Sequence, residues 1–144
     1  MRNRAGQRGA AIIEFALILP LLLLITVITT DFGRAIYQYH TLTKSVRDAA
    51  RYLSAQTPGE GAAQARNLVV YGNPQGSGTP LAPGLTLAHV PTPTWQSTGT
   101  NPVINSVTIG VSGYTFRSMF ASVFGVNFGN FTYNDIRATM RAPS

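Results

Sequence analysis

Cysteine is absent from this chain. Its absence removes disulfides, thiol nucleophiles and thiolate metal sites together, and leaves the redox compartment open. Charge is nearly as scarce: 11% of the 144 residues are charged, against about 25% in an average soluble domain. The acids are Glu14, Asp31, Asp48, Glu60 and Asp135, and the histidines are His40 and His89. Outside the apolar N-terminus a metal site would have to draw on Asp31, Asp48, Glu60 and Asp135, which stand at no ligand spacing. No two of them share an acid/base motif, and no serine has a nucleophile-elbow context. Gly76 and Gly78 lack the Lys-Ser/Thr and the strand-to-helix setting of a phosphate loop. We therefore expect no catalytic residue, no cofactor, no metal and no enzyme. His40 and His89 read as surface or packing residues.

The basic residues do not form a patch. Arg2, Arg4 and Arg8 crowd the first eight positions, and the other eight cations of the net +6 are thinly spread. Without interleaved aromatics this argues against nucleic-acid binding.

What the chain does have is a long apolar run. Ala10 to Ile28 is broken only by Glu14, Pro20 and Thr26. At about 1.5 Å per residue, a helix of that length covers roughly the 30 Å hydrocarbon core of a bilayer. Three arginines precede the run and a mixed Asp31/Arg34 pair follows it, so the positive-inside rule places the N-terminus in the cytoplasm. A secretory signal peptide would need a small-residue cleavage site, and TVITTDFG offers no convincing one. A plain signal anchor explains the hydrophobicity but gives Glu14 no use: a charge near a helix centre costs about 2.5–3.5 kcal/mol on insertion scales, and position 14, nearer the cytoplasmic interface, leaves snorkelling open. Glu14 has a use if the chain is cut after Gly9. Ala10 then becomes the first residue, with an α-amine of pKa near 8, and Glu14 lies one turn into a helix whose N-terminal field favours a carboxylate. In hydrocarbon that carboxylate calls for a cationic partner. The amine of a neighbouring subunit would serve, and would fix the axial register of one helix against the next.

The phrase RGAAIIEF, with glutamate and phenylalanine (Glu14, Phe15) fifth and sixth beyond Gly9, resembles the prepilin peptidase site of type IV pilins of the tight-adherence (Tad/Flp) branch. EFALILP, the Asp31-Phe-Gly-Arg34 stretch, the Leu42…Arg47-Asp-Ala-Ala-Arg-Tyr52 segment and the closing ATMRAP at 138–143 resemble the TadE-like family of minor pilins, most strongly over residues 8–54. The resemblance implies cleavage between Gly9 and Ala10, a register role for Glu14 and Phe15, and no enzymatic activity. It also implies partners: prepilin peptidase, other TadE-like or TadF-like minor pilins, the major Flp pilin, and the inner-membrane platform with its secretion ATPase. The chain would be a single-pass protein of the bacterial inner membrane with a periplasmic C-terminal domain, and would enter the extracellular pilus on assembly. The alternative is an uncleaved, signal-anchored binding or adhesion module that uses the loop at 72–102.

The expected organisation is a leader at 1–9, a transmembrane helix at 10–30, a helical extension at 31–57 and an α+β head at 58–144 with a turn-rich loop at 72–102. Pro20 should kink the helix, having no N–H to donate. Phe32, Ala35, Tyr39, Leu42, Val46, Ala49 and Leu53 recur at helical spacing and form one seam. The seam suits packing on the chain's own sheet, the reading we favour, or a heptad zipper against other subunits; the resemblance permits both, the lower part packing at home and the upper part in an assembly. EGAAQARNLVVY (60–71) reads as a second helix stopped by Gly72. LTLAHV reads as a short strand, Val103–Val111 as a half-buried strand with 105, 107, 109 and 111 on one face, and SMFASVFG as a helical or looped crossover. Phe131 to Met140 reads as a last strand with a bulge at Asn134-Asp135. Trp95, in PTPTWQ, reads as a lid on the core. The fold class is therefore α+β and pilin-like: a long N-terminal helix, a short second helix and a small antiparallel sheet.

Overall fold

The structure, a computed structural model, describes residues 4–120 and 122–142, with side-chain surroundings from Ala10 onward. The first three residues of the expected leader, and Pro143 of ATMRAP, lie outside the described residues. The architecture is α+β. Helix α1 runs Arg4–Leu53 and α2 Ala62–Tyr71. Among the described residues seven strands follow: β1 Thr94–Thr98, β2 Ile104–Val111, β3 Thr115–Phe116, β4 Ser122–Val123, β5 Val126–Asn127, β6 Phe131–Thr132 and β7 Ile136–Arg141. They form a three-stranded antiparallel sheet in the order β1-β2-β7 and two short pairs, β3-β6 and β4-β5. The contacts divide the chain into two compact units. One comprises the chain up to Ala35 with Ser118–Gly129, and the other Ile36–Arg117 with the chain from Asn130.

The second unit holds the core. From α1 come Leu42, Val46, Ala49, Ala50 and Leu53. The partners are Ala65, Val69 and Val70 of α2 and Val107, Ile109 and Val111 of β2. The alternation expected for Val103–Val111 thus becomes β2, with its odd positions inward. Truncating any of the larger fully buried aliphatics should cost about 2–5 kcal/mol. α2 is framed by Gly61 and Gly72, both left-handed, and the Gly72 N–H closes onto the Leu68 carbonyl at 3.0 Å. That is the αL ending which glycine adopts without Cβ strain. Arg66 leaves α2 to donate to the Val90 and Leu87 carbonyls at 2.9 and 2.7 Å, so a charge that read as isolated is a brace.

Several local expectations need correction. LTLAHV is not a strand. Thr86 starts a single 3₁₀ turn at Leu87–His89, because the His89 ring accepts the Thr86 N–H at 3.1 Å and captures that short segment locally. The loop at 72–102 is not turn-rich throughout: TWQST forms β1, paired with β2 in register Trp95↔Val107. Trp95 packs partly buried against the core, with Nε1 buried and unpartnered. SMFASVFG contains β4 and the turn of a tight β4-β5 hairpin, not a helix or a plain crossover. The slip at Asn134-Asp135 is a break and not a bulge: Phe131–Thr132 pairs with β3, and Ile136–Arg141 pairs with β2.

The seam on α1 is also displaced by one residue at its upper end. Phe32 is 66% exposed and Tyr39 43%, whereas Asp31, Gln38 and Ser45, seven residues apart, are buried. Each of these three polar side chains has a hydrogen-bond partner, as burial requires. In the second unit Gln38 accepts the Tyr114 hydroxyl at 2.9 Å, and that hydroxyl also reaches the Pro83 carbonyl at 3.0 Å. Tyr114 stacks on Tyr133 with centroids 5.8 Å apart, and Tyr133 meets Tyr39 at 5.7 Å. Burial, with Tyr114 alongside, pushes the Tyr133 phenol up to about 12. Tyr114→Phe keeps the ring and strands the Gln38 amide oxygen. The substitution should cost about 1–3 kcal/mol in thermal unfolding of the detergent-solubilised chain, with no change in helix content by circular dichroism.

Candidate functional site

The candidate site is the first half of α1, an apolar helix carrying one carboxylate. Among the described residues this is the one helix long and apolar enough to cross a membrane. Its most apolar stretch, of mean hydropathy 2.8, buries none of its residues against the rest of the protein. Ile12, Ile13, Phe15, Leu17, Leu21 and Ile25 are all more than half exposed. A face like this is untenable in water and suited to lipid or to other helices.

Local chemistry lets the run stay helical in hydrocarbon, where every backbone polar group must be met internally. The hydroxyls of Thr26, Thr29 and Thr30 donate to the carbonyls of Leu22, Ile25 and Thr26 at 2.8 Å each, so three polar side chains are absorbed by the helix itself. Pro20 lies inside α1, which stays helical on both sides of it. Having no N–H, Pro20 leaves the Ala16 carbonyl without its usual donor.

Gly9, Ala10, Glu14 and Phe15 all lie on α1. Glu14 is exposed and, among the described residues, forms no ion pair; the two ion pairs are Arg34–Asp31 and Arg137–Asp135. It stands four residues from Ala10, which places both on one helix face about 6 Å apart. Glycine is the weakest ordinary helix former, at about 1 kcal/mol below alanine. Gly6 and Gly9 therefore weaken the helix in the stretch before Ala10.

Asp31 was legible only as the acid that follows the apolar run. The structure gives it a structural task within the first unit. Its carboxylate accepts from Ser118 Oγ, from the Met119 N–H at 3.2 Å and from Arg34 Nη1 at 2.9 Å. Burial pushes the carboxyl up, but the Ser118, Met119 and Arg34 bonds and the Arg34 charge outweigh it and hold the pKa below the ordinary 3.8. No sequence signal could have paired positions 31 and 118. A depressed folded pKa means that the bond set contributes fully above the ordinary aspartate value and is lost as pH falls through the lower folded one. Asp31→Ala should accelerate hydrogen exchange at the Met119 amide by about tenfold to a hundredfold, as hydrogen bonds to a charged group predict. In the unaltered chain the same opening should appear only below pH 3.8.

The remaining titratable groups gather into no site. Among the described residues no three His, Asp or Glu come together to hold a metal ion. His89 caps its own turn and sits edge-on to Tyr114 at 5.8 Å, while His40 is exposed beside Tyr39. An open groove of about 470 Å³ runs past Tyr37, His40, Lys44, Asp48 and Leu81. It presents one cation and one anion and no nucleophile–base pair.

No curated protein and no solved structure matches the chain. Residues 9–51 match the model of the family described as TadE-like protein. The match begins at Gly9, spans the whole apolar run with Glu14 and Pro20, and ends within the buried half of α1. Over residues 9–51, from Gly9 to Arg51, the chain is similar to the TadE-like family.

Proposed function

We propose that the chain is a minor pilin or pseudopilin of a Tad-type pilus, a structural assembly protein and not an enzyme. It is inserted in the inner membrane with its N-terminus in the cytoplasm, cut after Gly9 by prepilin peptidase, and carried by its helix into the complex that primes or extends the pilus. The observation that carries this reading is the TadE-like match from residue 9 to 51, laid over a helix whose first half is apolar, exposed and marked by a single carboxylate. Other minor pilins of the same kind, the major Flp pilin and the inner-membrane platform are the partners that the family relationship suggests. Helices of such subunits would cover the apolar face that the chain leaves open, and Glu14 would meet the freed α-amine of a neighbour.

The test is the intact mass of the full chain purified from membranes with and without the cognate prepilin peptidase. Loss of residues 1–9 only when the peptidase is present is the expected result. An unprocessed Met1 terminus in both samples would refute the proposal and leave a signal-anchored module.

A further inference from the structure

We propose that the β4-β5 hairpin is a second, peripheral membrane contact, whose apolar tip inserts into the lipid headgroup zone beside the point where α1 leaves the bilayer. The inference rests on the membrane-anchored reading of α1.

Three observations carry it, all within the first unit. The hairpin is fastened to the end of the apolar run: Ser118 and Met119, at its base, both bond the Asp31 carboxylate. Asp31 follows Thr30 directly, so the attachment lies where hydrocarbon gives way to headgroups. That zone is roughly 5–7 Å deep on each side of a core about 30 Å thick. Strands of two residues, rising about 3.3 Å per residue, keep the whole hairpin within reach of it.

The side chains are of the wrong kind for water. Phe124 is 64% exposed, Met119 63% and Val126 42%. From Ser118 to Asn134 the chain carries no charged residue, so no charge in the hairpin opposes transfer of its apolar side chains out of water.

The turn itself is built to present a ring. Phe124 and Gly125 both have positive φ, 50° and 80°. Two-residue hairpin turns with positive φ at both positions favour Asn-Gly or Asp-Gly. A phenylalanine held in that conformation is strained, and its ring is left mostly exposed. An aromatic placed at such a tip, next to a helix end, suits the interface where aromatic side chains anchor membrane proteins. A protein partner would also accept an apolar tip, but the attachment at the membrane boundary, through Asp31, favours lipid.

Because the chain has no cysteine, single-cysteine reporters are clean. Full-length Phe124→Cys and Leu21→Cys chains are labelled with an environment-sensitive fluorophore and reconstituted, dilute, in phosphatidylcholine–phosphatidylglycerol vesicles. Quenching is compared between nitroxide lipids labelled at the headgroup, nitroxide lipids labelled deep in the acyl chain, and aqueous iodide. We expect position 124 to be quenched several-fold more by headgroup nitroxide than by iodide, and position 21 by the deep nitroxide. Quenching at 124 by iodide alone, with 21 still reached by the deep label, overturns the hairpin contact and leaves the span intact. Shielding of 124 from both lipid and iodide means that a second copy covers it, which also overturns the proposal. Failure of lipid quenching at both positions removes the span reading and the hairpin contact with it.

Discussion

On the proposed function, a Glu14→Gln chain should be inserted and cut after Gly9 as the parent chain would be, yet its entry into pili should fall by about a hundredfold or more. The side chains are nearly isosteric, so helix and insertion are preserved. What is lost is the partner of a cation in hydrocarbon, and removing one member of a buried ion pair costs about 3–5 kcal/mol. At about 1.4 kcal/mol per factor of ten, 3 kcal/mol is already more than a hundredfold in an assembly equilibrium. Moving the carboxylate is the sharper control. In an Ile13→Glu, Glu14→Ala chain the charge is retained but turned by about 100° around the helix, and it should fail as Glu14→Gln does. Pilus yield and subunit incorporation, set against intact mass of the membrane-bound pool, check this. Normal incorporation of Glu14→Gln would remove the register role.

The second large effect is expected at Gly110. It is the next-to-last residue of β2, opposite Arg137 of β7. A Cβ there would stand 2.5 Å from the Ile136 carbonyl oxygen and 2.9 Å from Arg137 Cγ. The Arg137 side chain can swing aside, but a backbone carbonyl in a paired strand cannot, so β2 and β7 must separate. Gly110→Val should cost about 3 kcal/mol, at the upper end of overpacking penalties. For a domain of this size that is a fall of more than 10 °C in Tm, at roughly 4 °C or more per kcal/mol. Thr108→Val, two residues away on the same face, gives up a 2.7 Å bond to Thr139 and should cost only about 1 kcal/mol. Thermal unfolding of the two full chains in detergent compares them. Equal melting temperatures would mean that β2 and β7 do not approach as closely as their pairing indicates.

The two effects differ in where their cause was visible. Glu14 stands out from the residues alone, because a carboxylate among aliphatics contradicts its surroundings and hydrocarbon makes the contradiction costly. Gly110 reads only as a small residue on the outer face of a strand. Its meaning depends on a chain segment twenty-six positions later.

The same division runs through the fold. The apolar run, the helix beyond it, the second helix ending at Gly72 and the inward face of β2 follow from periodicities of 3.6 and 2, which are local properties of the backbone. The α+β class was legible in the same way, and the similarity of residues 9–51 to the TadE-like family in the motifs that carry it. Tertiary structure decided what local pattern left undetermined. The buried stripe of α1 runs through Asp31 and Gln38, not Phe32 and Tyr39, because Ser118 and Tyr114 lie across from the polar residues and satisfy them. Phe131–Thr132 and Ile136–Arg141 look like one strand until their partners divide them. Hydrophobicity alone assigns an apolar residue to the interior. A polar group belongs there only if the fold brings it a hydrogen-bond partner, and these partners came from 76 and 87 positions away.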